Sequence, residues 1–172
     1  MTIAPPNITD YNTFITNVMG IVVGPSPPVP PTQLVNTDPV IAMSFEVAMD
    51  IVNDALSMAG PSVYPLAVYN FAGDRLMNYA LDWTGAPAFQ PNPPAQNNGG
   101  LAFFAYMRMQ FNISGFVGGV IQSSSDQGTG QSMVVPDAMR LFTMGDLQSL
   151  KTPWGRQYMA FAQDYGYLVG LT

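Results

Sequence analysis

The chain contains neither cysteine nor histidine, and only 9% of its 172 residues are charged. Without cysteine there is no disulfide framework and no thiolate nucleophile. Without histidine the commonest general base and metal ligand is missing, so catalytic triads and tetrahedral zinc sites are excluded. Charged residues usually make up roughly 25% of a soluble domain. Here hydrophobic residues reach 48%, which leaves an isolated subunit poorly solvated and predicts that other subunits cover much of its surface. Basic residues are scarcest, with Lys+Arg 5 against Asp+Glu 11 and a net charge of −6. No basic patch is visible for phosphate neutralisation, so specific nucleic-acid binding is not expected.

Long apolar runs are also lacking. Gly20–Gly24 and Leu101–Met107 fall well short of the ~20 residues that span a bilayer, and the opening MTIAPPNITDY has neither the basic nor the apolar region of a secretory signal. Neither membrane insertion nor export is expected. No G-x-S-x-G elbow, Walker loop or dinucleotide glycine pattern occurs, and GTGQSM after Gln127 lacks the third glycine and does not enter a helix. Two carboxylates serve a glycosidase only in a cleft that raises one pKa, which spacing does not display. Asn7-Ile8-Thr9 and Asn112-Ile113-Ser114 match a glycosylation acceptor but carry no weight without a secretory signal. The sequence therefore predicts a protein that is not an enzyme and needs no cofactor or metal.

What is present is a series of helical stripes separated by proline- and glycine-rich passages. The length suits one domain. Residues 1–37 read as an extended arm, a short helix and a proline-rich connector. Residues 38–172 read as a mainly α domain, a small bundle of four to five helices with an inserted β-hairpin, a closing helix and a tail. Thr9 or Asp10 is expected to cap the first helix, with Tyr11, Phe14, Ile15 and Val18 on its apolar side and Gly20 at its end. Five prolines between Gly24 and Pro31 favour stiff, extended polyproline geometry, read as a connector rather than an SH3-type ligand.

Asp38-Pro39 is a cap followed by an N1 proline, and Ile41, Phe45, Ala48, Val52 and Leu56 predict one helix running to about Met58. Its other face carries Glu46, Asp50 and Asp54 at successive i,i+4 positions, each like-charge neighbour costing ~0.2–0.5 kcal/mol. That row reads as a solvated face, as a surface shown to a basic partner or to a lumen through which DNA slides, or as a metal site, although it lacks the ligand alternation of a calcium loop.

From Ser62 or Pro65 a second helix, LAVYNFAGDRLMNYALDW, suits a buried centre through Ala67, Val68, Phe71, Leu76 and Tyr79. In it Gly73 admits a close neighbour, and Arg75 is expected to pair with a carboxylate or a carbonyl. Thr84–Gly100 is a loop long enough to be functional or to order against a neighbour. Leu101–Asn112 predicts a third helix with Phe104, Met107 and Phe111 on one side.

Val117–Ser124 and Gln131–Val135 predict the hairpin strands, joined through Ser125–Gly130. A two-stranded ribbon is marginal alone, so strand addition from a neighbouring chain is expected. Pro136-Asp137 begins a short fourth helix, and Asp146-Leu147 lies in a brief turn or helix. Thr152-Pro153 opens the last helix, on which Trp154, Tyr158, Phe161 and Tyr165 form an aromatic stripe ended by Gly166. Beyond it Tyr167, Leu168, Val169 and Leu171 carry too much apolar area to stay wet, which predicts docking on a partner.

From Asp38 onward the order of AMDIVNDAL, YPLAVYNFAGDRLMNYAL, GGVIQSSSDQGTGQSM and TPWGRQYMAFAQ resembles the head-to-tail adaptor family of tailed-phage connectors. The hairpin passage followed by TPWGRQYM is the most specific part, and the likeness covers about three quarters of the chain. The resemblance implies a small α-helical subunit that forms a twelve-fold ring beneath the portal, receives stopper or tail (nozzle) proteins on its distal face, passes DNA through its lumen and catalyses nothing. It implies a virion protein of the head–tail junction, made in the host cytoplasm. On this chain the portal-docking tail would be Tyr165, Tyr167, Leu168, Val169, Leu171 and Thr172. Subunit or distal contacts would come from Ile121, Ser123, Ser125, Asp126, Gln127, Thr129 and Gln131.

Overall fold

The computed structural model describes residues 5–24, 34–82, 101–113, 123–126, 129–132 and 143–166. Among them are α1 (Ile8–Asn17), α2 (Pro39–Ile51), a 3-10 helix (Asp54–Met58), α3 (Val63–Tyr79), α4 (Phe103–Gln110), α5 (Met144–Ser149) and α6 (Pro153–Tyr165). Two short strand pairs accompany them. β1 (Val23–Gly24) runs parallel to β2 (Leu34–Val35), and β3 (Ser123–Asp126) runs antiparallel to β4 (Thr129–Ser132). The chain is mainly helical, a small bundle with a β insertion.

Helix α3 is the axis of the bundle, packed against α1, α2, the 3-10 helix, α4 and α6. Its sequence explains this, since a helix apolar on most sides has to be enclosed, and every residue from Ala67 to Asp74 is buried. Gly73 lets α1 approach, with the Met19 sulfur 3.1 Å from where a Cβ would sit. Helix α1 joins the same core. The Tyr11 ring is buried against Phe45 and Tyr69 at centroid distances of 5.6 and 6.0 Å, and its hydroxyl lies 3.1 Å from Ser44 Oγ. Burial pushes that phenol above its ordinary range.

Caps fix the helix starts. Asp38 accepts from the Val40 N–H with Pro39 behind it, and Thr152 accepts from the Gly155 N–H with Pro153 behind it, as the sequence led us to expect. The first cap is Asn7, which accepts from the Asp10 N–H, so α1 begins earlier than Thr9 or Asp10 implied. A threonine cap with an acid three residues on, Thr143 and Asp146, makes a reciprocal capping box for α5.

Further expectations are corrected. The helix expected to run to Met58 breaks after Ile51: Val52 is extended, and Asn53 accepts from the Ala55 N–H to start the 3-10 helix. An asparagine so placed offers its own N-cap, which competes with helix continuation. Helix α3 ends at Tyr79, whose side chain is 53% exposed rather than buried, and Val18 is 59% exposed. The hairpin pairs Asp126 with Thr129, so Ser125, Asp126, Thr129 and Gly130 belong to strands, not to the connection. Helix α4 spans a shorter stretch than Leu101–Asn112. The proline-rich passage 25–33, the loop 84–100, the outer strand residues and the Pro136 helix lie outside the described residues.

Candidate functional site

Two places stand out: a polar joint inside the bundle and an apolar groove on its surface. The joint is built around Asp74, which is fully buried on α3. Its carboxylate accepts from Thr152 Oγ1 at 2.6 Å, Asn78 Nδ2 at 2.7 Å and Ser149 Oγ at 3.3 Å. Thr152 Oγ1 in turn accepts from the Gly155 N–H at 2.9 Å. Burial raises the Asp74 pKa, opposed by these hydrogen bonds and by the nearby Arg75 charge. Gly155 is required here, because a Cβ would run into the Ser149 carbonyl and lie 2.6 Å from Asp74 Oδ1. The motif Thr152-Pro153-Trp154-Gly155 therefore seats α6 on α3, with Trp154 edge-on to Phe111 at 5.0 Å. These contacts gather α3, α5 and the start of α6 on one buried carboxylate, which gives the joint a structural role.

A second connection ties α3 to α4. Asp82 accepts from the Phe104 and Ala105 N–H groups at 2.9 and 3.0 Å, supplying the cap that Ala102 cannot. Arg108 reaches the other way, donating to the Met77 carbonyl at 2.7 Å and to the Ala80 carbonyl. Each helix end is thus satisfied by the other segment's side chain. Burial lowers the Arg108 pKa, and Asp82 works against that shift.

The groove runs between α2 and the last turns of α3 and encloses about 550 Å³, within the size range of ligand and peptide sites. Its α2 wall is Met43, Val47 and Ile51, spaced four residues apart, and Met43 and Ile51 are 64% and 54% exposed. Its far end is Leu81, 79% exposed. Arg75 borders it, with the guanidinium 4.4 Å from the Phe71 ring centroid and 5.3 Å from that of Tyr79. Nη1 donates to the Tyr79 hydroxyl at 3.1 Å, while the buried Nε has no hydrogen-bond partner. Among the described residues Arg75 lies against two aromatic faces, an environment that suits guanidinium, and not in a hydrogen bond to the expected carboxylate or carbonyl. A larger cavity of about 680 Å³ lies between α1, α3 and α6, walled by core aromatics such as Phe14, Trp154 and Phe161.

Glu46 and Asp50 are exposed on α2 and Asp54 is exposed at the start of the 3-10 helix, so the break at Val52 removes Asp54 from the helical row. Among the described residues, no group of three His, Cys, Asp or Glu side chains is placed to hold a metal ion. Tyr165 is half-buried at the end of α6 and packs on the core. Ser123, Ser125, Asp126, Thr129 and Gln131 are placed by the β3–β4 register. Ile121, Gln127 and the segment Tyr167–Thr172 lie outside the described residues. The groove itself was not anticipated, although a signal existed: α2 carries a second apolar stripe, Met43, Val47 and Ile51, beside the core stripe of Ile41, Phe45 and Ala48.

Comparison with known protein families, characterised proteins and solved structures finds no match for this chain. No described helix is long and apolar enough to cross a membrane.

Proposed function

We propose that this chain is a structural subunit of a phage head–tail junction, an adaptor that assembles as a ring between the portal and the stopper or tail proteins and lets DNA pass. The observation that carries the reading is the exposed apolar α2–α3 groove on a subunit of very low charge. Surface of this kind is normally covered in an assembly. The resemblance through TPWGRQYM supplies the kind of assembly. Consistent with a conduit, the net charge is negative, and repeated around a ring it would discourage DNA from sticking to the wall. A twelve-fold ring, a location at the virion neck and a distal partner follow from the resemblance alone, as do a portal-docking role for Tyr165–Thr172 and contacts through the hairpin.

The test is the mass of the purified protein by sedimentation, alone and with the portal from the same genome. Capture on the portal as a ring is expected, and deletion of Tyr167–Thr172 should abolish attachment while leaving helix content unchanged. Indifference to the portal would reject the adaptor reading and leave another neck or tail subunit as the alternative.

A further inference from the structure

The groove needs an occupant, and the chain itself contains a segment of fitting length and chemistry. Along α2 from Val40 to Ile51 the groove is about 17 Å long at 1.5 Å per residue, the length of five extended residues at ~3.3 Å each. Tyr167–Leu171 is such a stretch, with three aliphatic side chains and no charge. The absence of charge matters because Glu46 and Asp50 are exposed on the α2 helix that forms one wall and would oppose an acidic segment.

The same molecule's segment is badly placed to enter. Helix α6 runs antiparallel to α3, with Gly155 beside Asp74, Tyr158 against Phe71 at 4.7 Å, and Phe161 lining the same cavity as Leu66. From Gly155 to Gly166 the chain therefore travels about 17 Å towards the start of α3, away from Arg75, Tyr79 and Leu81. A segment that starts there must turn back along α3 to reach the part of the groove walled by Arg75, Tyr79 and Leu81, which favours the groove of another copy.

We infer that, in the protein free of its portal, Tyr167–Leu171 docks in the α2–α3 groove of a second copy. This rests on reading that segment as a docking element, as in the proposed function, and adds a receptor for it. The contact joins two different surfaces and is therefore head-to-tail, the kind that propagates and closes into a ring when the rotation permits.

The absence of native cysteine makes the test clean. Full-length chains carrying Val47→Cys are mixed with chains carrying Leu168→Cys under mild oxidation. The expected product is the mixed disulfide dimer, and a chain with both substitutions should yield a ladder of higher species. An intramolecular disulfide on a monomer would overturn the inference in favour of the molecule's own segment. Dimers of the Val47→Cys chain with itself would overturn it in favour of a groove-to-groove contact, and absence of any crosslink would overturn it outright. Separately, Ile51→Asp, at an exposed position, should weaken self-association at least tenfold with the helical circular dichroism unchanged; unchanged self-association would count against the groove. Its segment remains intact, so portal capture should persist. Crosslinking without any portal binding would reject the adaptor function and leave this inference standing.

Discussion

Single residues decide how α6 is seated. Adding one methyl at Gly155 places it against the Ser149 carbonyl and Asp74, so Gly155→Ala is expected to lose about 1–3 kcal/mol or more in urea unfolding, the range of overpacking in a rigid core. Thr152→Ala removes a cap, worth about 1 kcal/mol, and also leaves a buried carboxylate short of a donor, adding ~1–3 kcal/mol. Asp74 itself gives a pH signature. Its folded pKa is raised above 3.8, so the folded state holds the proton more tightly than the unfolded chain. The stability linked to this group is complete below 3.8 and is lost as pH rises through the folded value. Asp74→Asn fixes the neutral form, so the stability of the parent relative to this variant should fall as pH climbs from below 3.8 towards neutral, measured by urea midpoints. A constant difference across that range would contradict the burial argument.

At the scale of elements, most starts were legible because they depend on local chemistry. Asp38-Pro39 and Thr152-Pro153 mark their helices, and the central place of α3 follows from its lack of a polar face. The failures have equally physical origins. Asn53 offers the backbone an alternative cap in the middle of an apolar periodicity that reads as continuous, and periodicity does not register such competition. The Asp82 cap on α4 and the aromatic setting of Arg75 depend on which segments the fold brings together, so no local pattern announces them. The groove was hidden for a related reason, since a second apolar stripe on α2 is indistinguishable in sequence from a broader core face. One consequence is testable at this scale: Asn53→Ala removes the side chain that starts the 3-10 helix and should cost about 1 kcal/mol, seen as a lowered urea midpoint.

For the whole molecule, the balance between low charge and net negative charge governs association. Copies bearing −6 each repel until salt shortens the Debye length from ~10 Å at 0.1 M towards ~3 Å at 1 M, while apolar contacts do not weaken over that range. Self-association should therefore tighten as salt is raised, and sedimentation at several ionic strengths would show it; weakening with salt would point instead to ion-paired contacts. The Asp82–Arg108 exchange has a consequence of another sort. It pins the two ends of the passage 83–100 to the body by groups that lie outside that passage. A change of residues within 83–100 therefore leaves this clasp between α3 and α4 chemically intact, so a reporter sequence placed there is expected to spare the helical circular dichroism of the bundle.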